Sequence, residues 1–195
     1  MLFPRSTLAL IGAVSALVLS GCATASRAPA EYFEPSGTGA NIISVPASGP
    51  KNTAVIQYSP EASLTIRTAV TEGVASVAMV FTVKAGATPV VFTGRLVTFE
   101  ANGSRDEREA MWDMALVENK RARTERVPFT AELKGADVPA AGAPEGKGVV
   151  RVGLYQSSLV VPRHLQDTKE FRLTIPAVKG GQPVTLTFVR RGGKN

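Results

Sequence analysis

His164 is the chain's one histidine, and it lies in VPRHLQD with Asp167 three residues on. An imidazole oriented by a carboxylate can serve as the base for a serine nucleophile. No G-x-S-x-G elbow marks the serine that this base would need, so His164 is expected as a surface residue. Cys22 is the one cysteine. Zinc sites gather several Cys or His ligands, and one of each does not supply such a set. Calcium loops need carboxylates at fixed intervals, whereas SRDERE at 104–109 interleaves its acids with cations. GAPEGKG at 142–148 falls short of a phosphate loop: Gly142 and Gly146 are one residue too close, and Gly148 replaces the Ser or Thr that holds magnesium. No cofactor, metal or catalytic set is expected.

Cys22 sits where hydrophobicity ends. Arg5 is the lone cation of MLFPRS, and Thr7 through Ser20 carries no charge. A short basic start, an apolar run and small residues at a cut form an export signal. The run is shorter than the roughly 20 apolar residues of a membrane span, and the ATASRAPA that follows has no stop-transfer character. Leu19-Ser20-Gly21-Cys22 resembles the lipobox of bacterial lipoproteins: an aliphatic residue, two small ones, then cysteine. The resemblance covers residues 1–22 only. It implies a diacylglycerol on the Cys22 sulfur, cleavage between Gly21 and Cys22, and two or three acyl chains, palmitate among them, on that one residue. At about 0.8 kcal/mol per buried CH₂, two or three such chains anchor a protein permanently. Ala23 in place of Asp implies sorting to the outer membrane, facing the periplasm of a Gram-negative host.

Removal of 1–21 leaves a chain of single-domain size with Cys22 acylated and no second cysteine for a disulfide. The net charge is +6. For an exported protein this does not point to nucleic acid. Anionic lipid, lipopolysaccharide and cell-wall polymer are the acidic surfaces an envelope offers, and a modest positive charge also serves solubility.

Residues 22–52, with SRAPAEYFEPSGTGAN and VPASGPKN, hold little to bury apart from Tyr32-Phe33 and Ile42-Ile43, and are expected to form a flexible tether that becomes ordered near residue 42. From residue 53 the texture changes. TAVIQY, SLTIRTAV, ASVAMVFTV and PVVFTGRLVTFE are rich in Val, Ile, Thr and Phe, and Gly or Pro separates them. Such runs read as strands. In ASVAMVFTV, Val77, Met79, Phe81 and Val83 share a face, yet Ala78, Val80 and Thr82 between them are also apolar or small. That predicts a central strand. AGATP at 85–89 suggests a hairpin connection and Ala101-Asn102-Gly103 a turn. After Val127 the strands resume through VPFTAEL, GVVRVGLYQSSLVV, EFRLTIP and PVTLTFVRR.

SRDEREAMWDMALVENKRARTER at 104–126 breaks the pattern. Ser104 and Glu107 match a capping box, and Met111, Met114 and Val117 recur at helical spacing. This predicts a short helix near 105–118. Trp112, Met114 and Leu116 also alternate as a strand would, and that reading competes. Trp112 is expected in the core, with a contact platform as the alternative. Lys120, Arg121, Arg123 and Arg126 form a basic cluster that is the candidate contact for an anionic envelope polymer or lipid, or else a solvated face. Arg190, Arg191 and Lys194 read as a basic, frayed tail.

Together these features predict an all-β fold, an immunoglobulin-like β-sandwich of about eight or nine strands over residues 53–195. The expected function is a non-enzymatic, lipid-anchored module that binds another envelope protein. Two alternatives remain: recognition of anionic lipopolysaccharide or peptidoglycan, and an enzyme with an unmarked carboxylate site. The expected partners are the membrane, through acylated Cys22, and an envelope protein. In a Gram-negative host, Cys22→Ser should abolish labelling by radioactive palmitate and leave the precursor uncut. A variant that still incorporates the label overturns the lipobox.

Overall fold

A computed structural model describes residues 31–43, 49–118, 121–135, 138–139, 149–150 and 152–192. Gly21 and Cys22 lie outside them, as does Lys120. The strands follow in chain order. β1 (Tyr32–Ser36), β2 (Ala40–Ile43), β3 (Thr53–Ser59), β4 (Ala62–Thr71) and β5 (Val74–Lys84) come first. β6 (Val90–Val91), β7 (Leu96–Ala101), β8 (Ser104–Glu109), β9 (Met111–Glu118) and β10 (Arg121–Pro128) follow. β11 (Glu132–Leu133), β12 (Val138–Pro139), β13 (Val149–Val150), β14 (Val152–Val160), β15 (Glu170–Ile175) and β16 (Val184–Arg191) complete the set. A 3-10 turn at Arg163–Leu165 is the one helical piece among the described residues.

The fold is all-β, as expected, and sandwich-like, with more strands than the sequence suggests. A five-stranded sheet runs β1-β16-β15-β7-β8 and a seven-stranded sheet runs β10-β9-β14-β5-β4-β3-β2. All their pairings are antiparallel. The short strands β6 and β11 pair with each other, as do β12 and β13. Alternation explains the layering. Ala62, Leu64, Ile66 and Thr68 of β4 and Ala75 through Val83 of β5, taken every second residue, face inward and are buried. Phe171, Leu173 and Ile175 of β15 and Leu186 and Phe188 of β16 oppose them from the other sheet.

Every phenylalanine among the described residues is buried. The rings form two groups. Phe171 stacks on Phe188 at 5.1 Å and meets Phe33 at 4.9 Å and Phe99 at 6.0 Å. Trp112 stacks on Phe129 at 4.5 Å, and Phe92 and Phe81 pack beside them. The indole Nε1 of Trp112 donates to the Phe129 carbonyl at 3.2 Å, so its one polar group is satisfied inside the core.

The helix expected near 105–118 is absent; β8 and β9 occupy its place. Asn102 and Gly103 both have positive φ, 51° and 76°, the geometry of a tight hairpin turn. Ser104 is thereby set opposite Ala101 and joins a strand ladder instead of capping a helix. Alternating signs in SRDERE then pair along the strand: Arg105 with Glu107 at 2.7 Å, Arg108 with Asp106 at 2.9 Å. Between β8 and β9 the chain passes from one sheet to the other at buried Ala110, whose N–H donates to the Arg95 carbonyl at 3.0 Å.

The boundary expected at residue 53 also moves. β1 and β2 belong to the two sheets, so the folded unit among the described residues reaches back to Tyr32. Phe33 is fully buried, and its carbonyl accepts from Thr68 Oγ1 of β4 at 2.6 Å, which ties the sheets together at this edge. Gly37 makes the passage between them at φ 151°, where a Cβ would lie 3.0 Å from Leu186 Cδ2. AGATP turns as expected, but β6 beyond it pairs with β11 and not with β5. Arg190 and Arg191 are not frayed either. They end β16, where Arg190 lies 5.4 Å over the Phe33 ring and Arg191 Nε donates to Glu34 at 2.7 Å.

Trp112→Ala should lower unfolding free energy by about 3–5 kcal/mol, read by circular dichroism in denaturant. Leu96→Ala, at an exposed position, should stay within about 0.5 kcal/mol of the parent. Equal losses for the two would remove Trp112 from the core.

Candidate interaction surface

The predicted site residues divide. Arg121, Arg123 and Arg126 all lie on β10, whose register sets them opposite Glu118, Leu116 and Asp113 of β9. Arg126 Nε donates to Asp113 Oδ1 at 2.9 Å. This hydrogen bond, with the carboxylate's charge, raises the guanidinium pKa further and engages Arg126 within the chain. Arg190 is likewise held, with Nε 2.6 Å from Glu31 Oε1, although the N–H is not aligned on that oxygen. His164 is exposed on the 3-10 turn, and no hydrogen bond joins it to Asp167 among the described residues. Nor do these residues hold any group of three His, Cys, Asp or Glu arranged for a metal. Trp112 is buried and offers no surface platform.

A different surface emerges from the seven-stranded sheet. An antiparallel sheet with one solvated face normally alternates apolar inside with polar outside. β5 departs from this rule. Its outward residues are Val74, Ser76, Ala78, Val80, Thr82 and Lys84, and most are small or apolar. The register places similar residues beside them: Thr65 and Gln156 flank Val80, and Ser63 and Leu154 flank Thr82. One row crosses the whole sheet, from Asn41 through Val55, Thr65 and Val80 to Gln156 and the Asp113–Arg126 pair. Large apolar side chains exposed on this face are Ile43 at 40 %, Val74 at 44 % and Val160 at 58 %.

Ala78 is exposed and Val80 and Thr82 are half-buried, so β5 is covered on one side only. In the plane of the sheet β5 is the central strand, as the sequence predicts. The outer face of the five-stranded sheet contrasts with it. There Glu100, Arg105, Glu107 and Arg172 accompany the threonines Thr98, Thr174 and Thr185. That is an ordinary solvated, charged surface.

A shallow cleft marks one end of the uncharged face. Gln57, Ser63, Thr82 and Lys84 line it together with Glu61 at the β3–β4 turn. Ser63 Oγ and Thr82 Oγ1 share a hydrogen bond of 2.9 Å. Lys84 and Arg67, both exposed, make no ion pair among the described residues.

Comparison with known proteins adds no relative. No family model, curated protein or solved structure matches this chain. The surface is therefore read from its own residues.

Tyr58 is a half-buried titratable group. Its ring packs 5.7 Å from Phe81 and 5.9 Å from Phe92, and its hydroxyl is buried with no partner among the described residues. Burial pushes its pKa from 10.0 up to about 12, because the phenolate loses water's stabilisation there. The cause is desolvation, with no charged partner among the described residues. The folded state holds this proton more tightly than the unfolded chain. Its contribution is therefore complete below pH 10 and lost as pH rises toward 12, at roughly 1.4 kcal/mol per pKa unit. Tyr58→Phe should flatten that alkaline loss and leave stability at neutral pH equal or up to about 1 kcal/mol higher. Denaturant titrations from pH 9 to 12 would show it; an unchanged alkaline slope refutes the assignment.

Proposed function

We propose that this chain is a lipid-anchored lipoprotein of a bacterial envelope, held at the outer membrane through acylated Cys22 and facing the periplasm. In this reading residues between Cys22 and Tyr32 form a short leash. The sandwich, of immunoglobulin-like architecture, is a non-enzymatic module that binds another envelope protein through the outer face of its seven-stranded sheet.

One observation carries the binding part of the reading. The two sheets bury their aromatic faces against each other, yet the second face of β5, β4 and β14 is also poor in charge and keeps Val74, Val80 and Val160 toward water. A surface that needed only solubility would carry charges there, as the other sheet does. Depletion of charge with apolar and hydroxyl side chains at the centre is the composition of a protein interface core. The basic residues of β10 support the lipopolysaccharide reading less well, since Arg126 is already paired with Asp113.

Photo-crosslinking in intact cells tests this. A benzophenone side chain placed at Ala78 or at Ser158 should give a discrete adduct. The same group at Thr185, exposed on the opposite sheet, should give none, and Cys22→Ser should weaken the adduct by removing the anchor. Equal labelling from Ala78, Ser158 and Thr185, or none from any, refutes binding through this face.

A further inference from the structure

We infer that the partner docked on the seven-stranded sheet presents an acidic protein surface, with carboxylates placed to meet Arg67 and Lys84. This deepens the reading of that face as a binding surface and rests on it.

Charge complementarity carries the inference. Arg67 stands beside Ala78 in the register, and Lys84 ends the outward row of β5. Both are exposed and without an ion pair among the described residues. On the opposite sheet several cations are matched, Arg95 with Glu109, Arg108 with Asp106, Arg190 with Glu31 and Arg191 with Glu34. Arg172 there, and Lys51, Arg163, Lys169 and Lys179 in the connections, have no ion pair among the described residues, so what sets Arg67 and Lys84 apart is the charge-poor face around them. The outward positions of the seven-stranded sheet that are described hold one carboxylate, Asp113, and Arg126 already engages it. Glu61 lines the cleft beside Lys84, but it sits on a turn, where Ser59 Oγ bonds its Oε2 at 3.5 Å. The face therefore offers two cations set in an otherwise uncharged field.

A second copy of this chain fits poorly. In a two-fold pair the same patch meets itself, and two patches of this kind bring four cations together with no free carboxylate at the described outward positions of the sheet. An acidic protein surface has none of that conflict. Its carboxylates would neutralise Arg67 and Lys84 where packing excludes water, and there the attraction is stronger than at an open surface. Ser63 and Thr82, whose hydroxyls share a 2.9 Å hydrogen bond beside Lys84, leave one hydroxyl proton to donate to a carboxylate in the cleft.

The test uses the full chain carrying the crosslinker at Ala78. Arg67→Glu combined with Lys84→Glu should cut adduct yield at least tenfold. The neutral pair, Arg67→Gln with Lys84→Gln, should cause a smaller fall. Arg172→Glu, which reverses an exposed cation on the opposite sheet, should leave the yield within twofold. Melting by circular dichroism checks that each variant folds. Mass spectrometry of the adduct should place the crosslink within a segment bearing Asp or Glu, and replacing those acids by Lys in that protein should restore yield with the doubly reversed variant. Unchanged yield on reversal, a crosslinked segment without acids, or an adduct with a second copy overturns the acidic partner while leaving the docking face in place. Absence of any adduct from the Ala78 crosslinker overturns both.

Discussion

Aromatic rings packed between two antiparallel sheets hold this molecule together, and most of its other features follow from that demand. The chain has one cysteine, at position 22, so no internal disulfide supplements the core. Phe33, Phe99, Phe171 and Phe188 fill one part of the layer; Phe81, Phe92, Phe129 and Trp112 fill another. Each residue that points its ring inward forces its neighbours outward, because a strand alternates with period two. Once Met79 and Phe81 face the core, Ala78 and Val80 must face away from it. The charge-poor outer surface is thus a geometric consequence of where the rings lie, combined with a sequence that leaves charges out of those outward positions.

The edges of the sheets are treated quite differently from that face. On β8, Asp106 and Arg108 fall opposite Phe99 and Val97, on the core-facing side of the strand. Charges pointing inward on an edge strand disfavour the addition of another chain's strand. Pro35 in β1 and Pro128 at the end of β10 remove donors from two further edges. The chain therefore discourages pairing by strand addition at several edges while leaving one broad face free of such protection. This division of labour favours docking face-on over docking edge-on.

Much of the fold is legible in the sequence because its signals are local. The Val, Ile and Thr runs of β3, β4, β5, β15 and β16 alternate plainly, and Asn102-Gly103 announces a hairpin. The failures are equally specific. Ser104 and Glu107 satisfy a capping box, and Met111 and Met114 have helical spacing, but the Asn102-Gly103 turn delivers Ser104 onto β7's ladder before any helix can start. Tyr32 and Phe33 look like two isolated aromatics in a polar leash. Their role depends on Thr68, 35 residues away, and on the ring of Phe171, and no local pattern encodes either. The candidate surface shows the same split. The apolar and small residues on both sides of β5 are visible in ASVAMVFTV and announce its central place in the sheet, but that one side is left uncovered appears only in the assembled molecule.

By itself the sequence determined the all-β character of the chain and the composition of each strand, because period-two alternation and turn residues act over a few positions. It also determined the lone thiol. Tertiary structure alone decided which strands neighbour which. Partners such as Glu34 and Arg191, or Arg67 and Ala78, are set by register between distant segments. It likewise decided that β1 and β2 belong to the sheets and that the second face of β5 meets water. Those outcomes depend on how two sheets share one layer of rings, a property of the assembled molecule that no single strand carries.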